Sequence, residues 1–388
     1  MDVAILGAGV AGLASAIALK QIGMTVSVFE RRGTVHNLGA GIVCWPNATF
    51  VLSELGILDE LSTVAGGVTS MRRATHNDIA LGTLNIRDLD AAMGFPSLSV
   101  LREDLMRILL EQVEQCDIPI HYAAHATGVE RVGDACRVQF ADGSSVSPRI
   151  IVGADGRMNS VARQYITNDN QPVYQGFVNW IGIHRWDKCV FDCLEIRDYW
   201  GVGARFGIVP VSSDTAYWAG GIAAPESFLT NDSNQIAQLR QSFRGWPSQV
   251  GDIVFSAANS NTKCVALYDH DPVPCWHRDN VMMIGDAAHA ALPTSGQGAA
   301  QALEDAWFLA REFAALPNDP ENAMARFTER RSKKTSGIII GGRNFASNLF
   351  GSDAEACALR DRNAQQTDYA SLVAGMATGW SAGLPIGG

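Results

Sequence analysis

Residues 2–6 read Asp-Val-Ala-Ile-Leu, and Gly7-Ala8-Gly9-Val10-Ala11-Gly12 follows without a gap. An apolar run with no polar alternation predicts a strand buried on both faces. Residues 10–22 are small and apolar at helical spacing, and Thr-Val-Ser-Val-Phe at 25–29 predicts a second strand. Strand, glycine turn, helix and strand form a βαβ unit, and few folds accept that opening. Gly7 permits the tight turn, Gly9 lets a pyrophosphate approach the backbone, and Gly12 lets helix and strand pack closely. The N–H groups at the helix start then face the diphosphate. Glu30 ends the second strand, where a carboxylate can accept both ribose hydroxyls of an adenosine. That acid disfavours a 2′-phosphate, so the site suits FAD or NAD better than NADP.

The rest of the composition sets bounds. A chain of 388 residues, 47% apolar and 18% charged, has ample material for two domains or one large α/β unit and is not disordered. Its 40 acidic against 30 basic residues, with no long basic run, argue against nucleic acid or a polybasic membrane contact. The eight cysteines include no CxxC pair, so free thiols are expected and no metal site. The N-terminus lacks a basic leader, and the apolar stretches 150–154 and 337–340 are far too short for a membrane span. The expected location is the cytoplasm, as a monomer or homodimer.

Along the chain, residues 47–63 predict one helix, 67–98 short antiparallel strands, and 102–115 an amphipathic helix. Residues 128–154 predict a hairpin turning at Asp142-Gly143, followed by a buried strand. From about 170 to 268, aromatic strand-like runs alternate with turn residues around one helix at about 233–245, which predicts an antiparallel sheet layer. A strand at 280–284, a helix at 298–315 and another near 321–335 restore the α/β character. The tail 372–388 reads as a short helix or packed arm. The expected fold is α/β: a discontinuous Rossmann-type domain (1–70, 99–165 and 270–345), an inserted antiparallel-sheet domain (71–98 and 166–269), and a helical or irregular tail (346–388).

Two further motifs carry chemistry. Residues 150–163 read Ile-Ile-Val-Gly-Ala-Asp-Gly-Arg-Met-Asn-Ser-Val-Ala-Arg, with Asp155-Gly156 after a strand. Residues 281–305 place a strand before Gly285-Asp286, then a proline loop, then a helix opening at Gly296-Gln297-Gly298. Asp286 can bind a ribityl or ribose hydroxyl, and the loop from Pro293 to Gly298 can lay N–H groups and a helix N-terminus against an electron-rich ring.

In order and spacing these motifs resemble the single-component FAD-dependent aromatic hydroxylases, the flavoprotein monooxygenases of the para-hydroxybenzoate hydroxylase type, over about residues 1–345. The resemblance implies that Gly7, Gly9, Ala11, Gly12, Glu30 and Arg31 bind the adenosine and diphosphate of FAD. It places Arg102 at the diphosphate or ribityl chain, Asp155 with FAD and the pyridine nucleotide, and Gly285 and Asp286 with FAD. Pro293, Gly296, Gln297 and Gly298 would line the isoalloxazine. The implied reaction is hydroxylation of a small aromatic or heteroaromatic substrate with O2 and NADH or NADPH as transient co-substrate, through a flavin C4a-hydroperoxide. An FAD-dependent dehydrogenase, oxidase or reductase without oxygen insertion is the alternative, and a flavin-bound regulatory protein the third reading.

Within the family, Trp45-Pro46-Asn47-Ala48, Gly176-Phe177-Val178-Asn179-Trp180 and Arg205-Phe206-Gly207-Ile208-Val209-Pro210 with Tyr217 resemble the urate-hydroxylase-like branch. That likeness puts Arg205, Tyr217 and Pro293 in the catalytic site. Two departures stand out. Thr294 replaces the acidic residue expected after the loop proline, and Arg163 falls one place later than the family's Asp-Gly-x-x-Ser-x-x-Arg requires. His289, His184, Trp180, Tyr199, Trp200 and Trp218 also have plain readings as packed or hydrogen-bonded residues.

Overall fold

A computed structural model describes residues 1–34, 40–230, 235–258 and 260–387. Its first layer is a six-stranded sheet in the order His277–Arg278, Val281–Met283, Ile150–Gly153, Val3–Leu6, Val26–Phe29, Ile120–His121. Every neighbouring pair is parallel except the first. Val3 stands opposite both Ile150 and Val26, so chain segments far apart in sequence meet at the centre. Residues 3–6, 150–153 and 281–283 are buried, as their unbroken apolar runs require. The helices Val10–Gln21 and Gly298–Ala315 pack together.

The second layer is a seven-stranded sheet in the order Thr262–Asp269, Val173–Arg185, Thr215–Ala223, Ala204–Pro210, Glu195–Trp200, Ser70–Thr75, Ala80–Asn85. One face packs Phe206 and Trp218 with their rings 5.5 Å apart and 7° from parallel, and Phe243 meets Phe206 edge-on at 4.9 Å. Trp180 and the helices Gln235–Ser242 and Ser248–Ser256 complete that core. Register puts Arg205 opposite Gly221, Gly207 opposite Ala219 and Val209 opposite Tyr217, all on the other face.

Several expectations need correction. The single helix expected over 47–63 is two, Pro46–Glu54 and Leu58–Val64, because Gly56 turns the chain at φ +79°. Within 67–98 a helix, Ile86–Met93, follows the strands; Asn85 caps it, and Ile86, Leu89 and Met93 form its buried stripe. The second sheet is not wholly antiparallel, since Glu195–Trp200 runs parallel to Ser70–Thr75. Those strands are joined by a long stretch of chain rather than a hairpin, so no tight turn dictates their sense. The helix Ser248–Ser256 is additional. Of the helix expected at 233–245, residues 235–242 form it, and 233–234 lie outside the described residues. The helix near 321–335 runs from Pro320 to Leu349, straight through Gly337, Gly341 and Gly342. The tail holds two helices, Ala354–Gln365 and Tyr369–Ser381, started by the side chains of Asp353 and Asp368. Among the described residues no helix is long and apolar enough to cross a membrane.

Removing the Phe206 ring empties the centre of the second core, so Phe206→Ala should cost about 3–5 kcal/mol. Urea denaturation followed by tryptophan fluorescence measures this, and an unchanged midpoint would contradict the packing described.

Candidate cofactor and substrate site

The opening glycines are shaped by contact. Gly7 has φ +103°, and a Cβ there would lie 2.4 Å from the Ala154 carbonyl oxygen. A Cβ on Gly12 would lie 2.0 Å from the Gly7 oxygen, so helix and turn touch backbone to backbone. A Cβ on Gly9 would meet nothing within 4 Å, which leaves open space before the helix start. No acidic residue occupies the first turn of Val10–Gln21, so its N–H groups face that space without a competing anion. Glu30 accepts from the backbone N–H of Ala8 at 2.9 Å and of Arg32 at 3.0 Å. Its carboxylate is thereby fixed beside the turn with lone pairs to spare. Arg31 is exposed next to it. Ala11 faces Gly285, where a Cβ would come within 2.8 Å of the Ala11 methyl, so these two residues set the spacing of the cradle.

A second cluster gathers Asp286, Arg157 and Arg102. Arg157 donates to the Asp286 carboxylate from Nε at 3.1 Å and from a terminal nitrogen at 2.8 Å. Burial opposes the charge on Asp286, but Arg157, His289 and Arg102 outweigh it and hold the carboxyl below its ordinary range. Arg102 opens the helix Arg102–Gln115, and its buried Nε has no partner among the described residues. Burial pulls the Arg102 guanidinium below its usual value, opposed by Asp286. A cation so placed, short of hydrogen bonds and near an anion already shared with Arg157, suits a phosphate or hydroxyl-rich ligand.

Asp155 lies differently from expectation. It accepts from the Ser160 hydroxyl at 2.5 Å and from the N–H groups of Val161 and Ala162, serving the start of the helix Val161–Thr167. Burial raises its pKa despite these bonds. Arg163 donates to the carbonyls of Ala287, Ala288 and Asp271 and is buried, so it braces the Asp286 turn. Sequence reasoning missed Arg157, the neighbour of the shifted motif; the signal was an arginine directly after Asp155-Gly156.

The loop Pro293–Gly298 is held from behind. Trp45 donates its indole N–H to the Gly296 carbonyl at 2.8 Å, and Asn47 donates to Gln297 Oε1 at 2.9 Å and Glu304 Oε1 at 2.7 Å. The Gln297 side chain is thus turned into the protein, while Pro293 and Gly296 of the loop remain exposed. Gly298 begins an 18-residue helix. Thr294 donates to the Gly342 carbonyl at 3.0 Å, so no acidic group stands at that position. His289 is buried on Asp305, with Nε2 2.6 Å from the carboxylate, which fits bracing rather than catalysis.

Opposite lies the open face of the second sheet. Small Gly207 and Ala219 lie between Arg205 and Tyr217, while the space over Gly221 is taken by the side chains of Asn179 and Phe350. Arg205 Nε donates to Asp198 at 2.6 Å, and Trp200 donates to the other oxygen of Asp198 at 2.9 Å. The Tyr217 ring lies against Gly41, where a Cβ would be 2.0 Å from the ring, so the second sheet meets the strand Gly41–Cys44 of a separate three-stranded sheet there. Its phenol has no hydrogen-bond partner among the described residues. Burial pushes the phenol far above its ordinary pKa, with Arg205 only partly opposing, so it stays protonated as a donor. Trp180, Tyr199 and Trp218 belong to the core on the other face; Trp200 shares the Arg205 face. His184 bonds the Ser256 hydroxyl through Nδ1 at 2.8 Å, away from these residues in the structure's contacts.

The donor set fits FAD: an open cradle at Gly9, a fixed carboxylate at Glu30, an under-bonded arginine at Arg102, and a glycine-bearing loop before a helix. A family profile described as FAD binding domain matches residues 1–336. The FAD-dependent urate hydroxylase of Mycolicibacterium vanbaalenii is 31% identical over 349 residues, covering 88% of this chain and 87% of that protein. A 3-amino-4-hydroxybenzoate 2-monooxygenase of Streptomyces platensis is 28% identical over 93% of this chain and 91% of its own length. The crystal structure of Klebsiella pneumoniae HpxO complexed with FAD and uric acid superposes with a TM-score of 0.90 at 25% identity, over 99% of this chain and 97% of that one.

Asp286→Ala removes a charge-assisted acceptor and strands Arg157. It should weaken FAD binding by about ten- to a hundred-fold, while far-UV circular dichroism stays unchanged. Flavin fluorescence titration measures the dissociation constant, and a wild-type value would take Asp286 out of the site.

Proposed function

The chain belongs to the FAD binding domain family as an FAD-dependent monooxygenase of aromatic or heteroaromatic rings, and from that premise we propose how its residues divide the work. The turn at Gly7–Gly12, Glu30, Arg102 and Asp286 hold the cofactor, and the sheet face of Arg205 and Tyr217 holds the substrate. Residues 1–70, 99–165 and 270–345 form the cofactor part, and 71–98 and 166–269 the substrate part. Bound FAD supplies the redox and oxygen-transfer chemistry, with NADH or NADPH as the electron source.

The observation that carries the substrate reading is the pairing of a protonated, unpartnered Tyr217 phenol with Arg205 across a floor of glycine and alanine. The floor takes a flat ring. The phenol donates to a ring nitrogen or carbonyl, and the free ends of the Arg205 guanidinium meet an anionic or carbonyl oxygen. Asp198 keeps Arg205 from swinging away. The helix start at Gly298 favours negative charge on the loop side of the ring site. The strand Gly41–Cys44 covers the Tyr217 ring on one side. The substrate class is a small, electron-rich heteroaromatic or hydroxylated aromatic ring. Thr294, bound to Gly342, leaves the site without the acidic group expected in the urate branch, which supports a ring other than urate.

Screening such rings for faster NAD(P)H oxidation, with mass analysis for one added oxygen atom, tests the reading. A ring that speeds oxidation but returns unaltered would sink it, and a reduced flavin stable in air would favour a dehydrogenase. With the true substrate, Arg205→Met and Tyr217→Phe should still consume NAD(P)H but release hydrogen peroxide in place of product, since misplacing the ring costs rate steeply. The ratio of product to NAD(P)H consumed is the measurement. Wild-type coupling in either variant would make that residue structural.

A further inference from the structure

Two chains of contact run from the C-terminal helix Tyr369–Ser381 to the loop Pro293–Gly298, and both pass through residues outside the cofactor and substrate groups named above. In the first, the Trp380 ring packs against the Trp45 ring at 5.2 Å and 49°. The Trp45 indole N–H in turn holds the Gly296 carbonyl at 2.8 Å. In the second, Lys334 donates to the Trp380 carbonyl at 2.7 Å and the Ala382 carbonyl at 3.2 Å. The same ammonium meets both oxygens of buried Glu304 at 2.9 Å. Glu304 receives Asn47, and Asn47 holds Gln297. Trp380 lies beyond residue 336, where the match to the family profile ends.

We infer that the C-terminal arm is a working part of the cofactor site, with Trp380 and Lys334 as positioning residues for the backbone of the loop Gly296–Gly298. Each contact has a physical reason to matter there. The loop offers the ring site its backbone, so its carbonyls and amides are only as well placed as the groups behind them. Trp45 can hold Gly296 only while its own ring is fixed, and Trp380 supplies one wall of that seat. Lys334 shares the Glu304 carboxylate with Arg331 and so helps to fix the oxygen that receives Asn47, which in turn donates to Gln297. The helix end at Trp380 and Ala382 presents carbonyls, the favourable pole for an ammonium. The arm and the loop are therefore ordered together. The inference rests on the proposed placement of this loop at the cofactor and not on which ring is hydroxylated.

The holoenzyme supplies the test. In the wild-type protein, adding FAD should slow amide hydrogen exchange in the loop 293–298 and in the segment 376–382 together; protection of the loop alone would overturn the inference. Trp380→Ala should weaken FAD binding by about five- to ten-fold and shift the visible circular dichroism of the bound flavin. Trp380→Phe, which keeps a ring on Trp45, should restore both. A double-mutant cycle with Trp45→Phe, which removes the N–H donor and keeps a ring, should show that the two losses are not additive. Additive losses, or a Trp380→Ala variant that melts earlier yet keeps the wild-type FAD affinity and flavin spectrum, would make the arm merely structural. Should Trp380→Ala fail to fold, Trp380→Phe with the exchange experiment decides the matter.

Discussion

Arg331 has no exposed surface, and neither do the carboxylates of Glu304 and Asp305 that hold it. Burial opposes the guanidinium charge, but the two acids outweigh it and keep Arg331 ionised. Asp305 spends its other oxygen on the Gly285 N–H at 2.8 Å and on His289. Arg331 also donates to the backbone and side chain of Gln301. One buried cation thus fixes the turn that presents Asp286 and the helix that the loop Pro293–Gly298 opens into. Removing one member of such a set leaves an unpaired charge in the interior, at a cost of about 3–5 kcal/mol. The geometry of the cofactor side depends on this arrangement because Asp305 holds the Gly285 N–H directly and Glu304 receives Asn47, which in turn donates to Gln297.

The same economy appears on the substrate side. Asp198 is buried and shared by Arg205 and Trp200, with Arg73 at 3.9 Å. Arg73 in turn lies over the Trp200, Phe345 and Tyr369 rings. Arg205, proposed to meet the substrate, is therefore anchored through a carboxylate to the sheet and, beyond it, to the C-terminal helices. On both sides, buried carboxylates are met by arginine.

Much of the cofactor side could be read from residue order. Gly7, Gly9 and Gly12 between a buried strand and a helix have one good structural use, and the contacts of Gly7 and Gly12 follow directly from the lack of a side chain. Gly285-Asp286 and the loop before Gly298 were legible for the same reason: a strand, a tight turn and a helix start are local, and local patterns survive in sequence. The reading of Arg205 and Tyr217 as site residues came only through resemblance, because nothing in a strand's composition says which face will be covered.

What the sequence determined by itself was the Rossmann-type layer, the glycine turn after its first strand and the position of Glu30 at the end of the second. These rest on backbone conformation and on periodicity within about thirty residues. What only the tertiary structure decided was who faces whom. Asp155, a plausible ligand by motif, is consumed by Ser160 and the N–H groups of Val161 and Ala162, while Arg157 takes Asp286. The Gln297 side chain turns inward because Asn47, from the far end of the chain, is there to meet it. The tail, unpatterned in sequence, becomes two capped helices whose last turn reaches Lys334 and Trp45. Hydrogen bonds and ion pairs between residues hundreds of positions apart leave no periodic trace along the chain, so they become visible only when the fold brings their partners within reach.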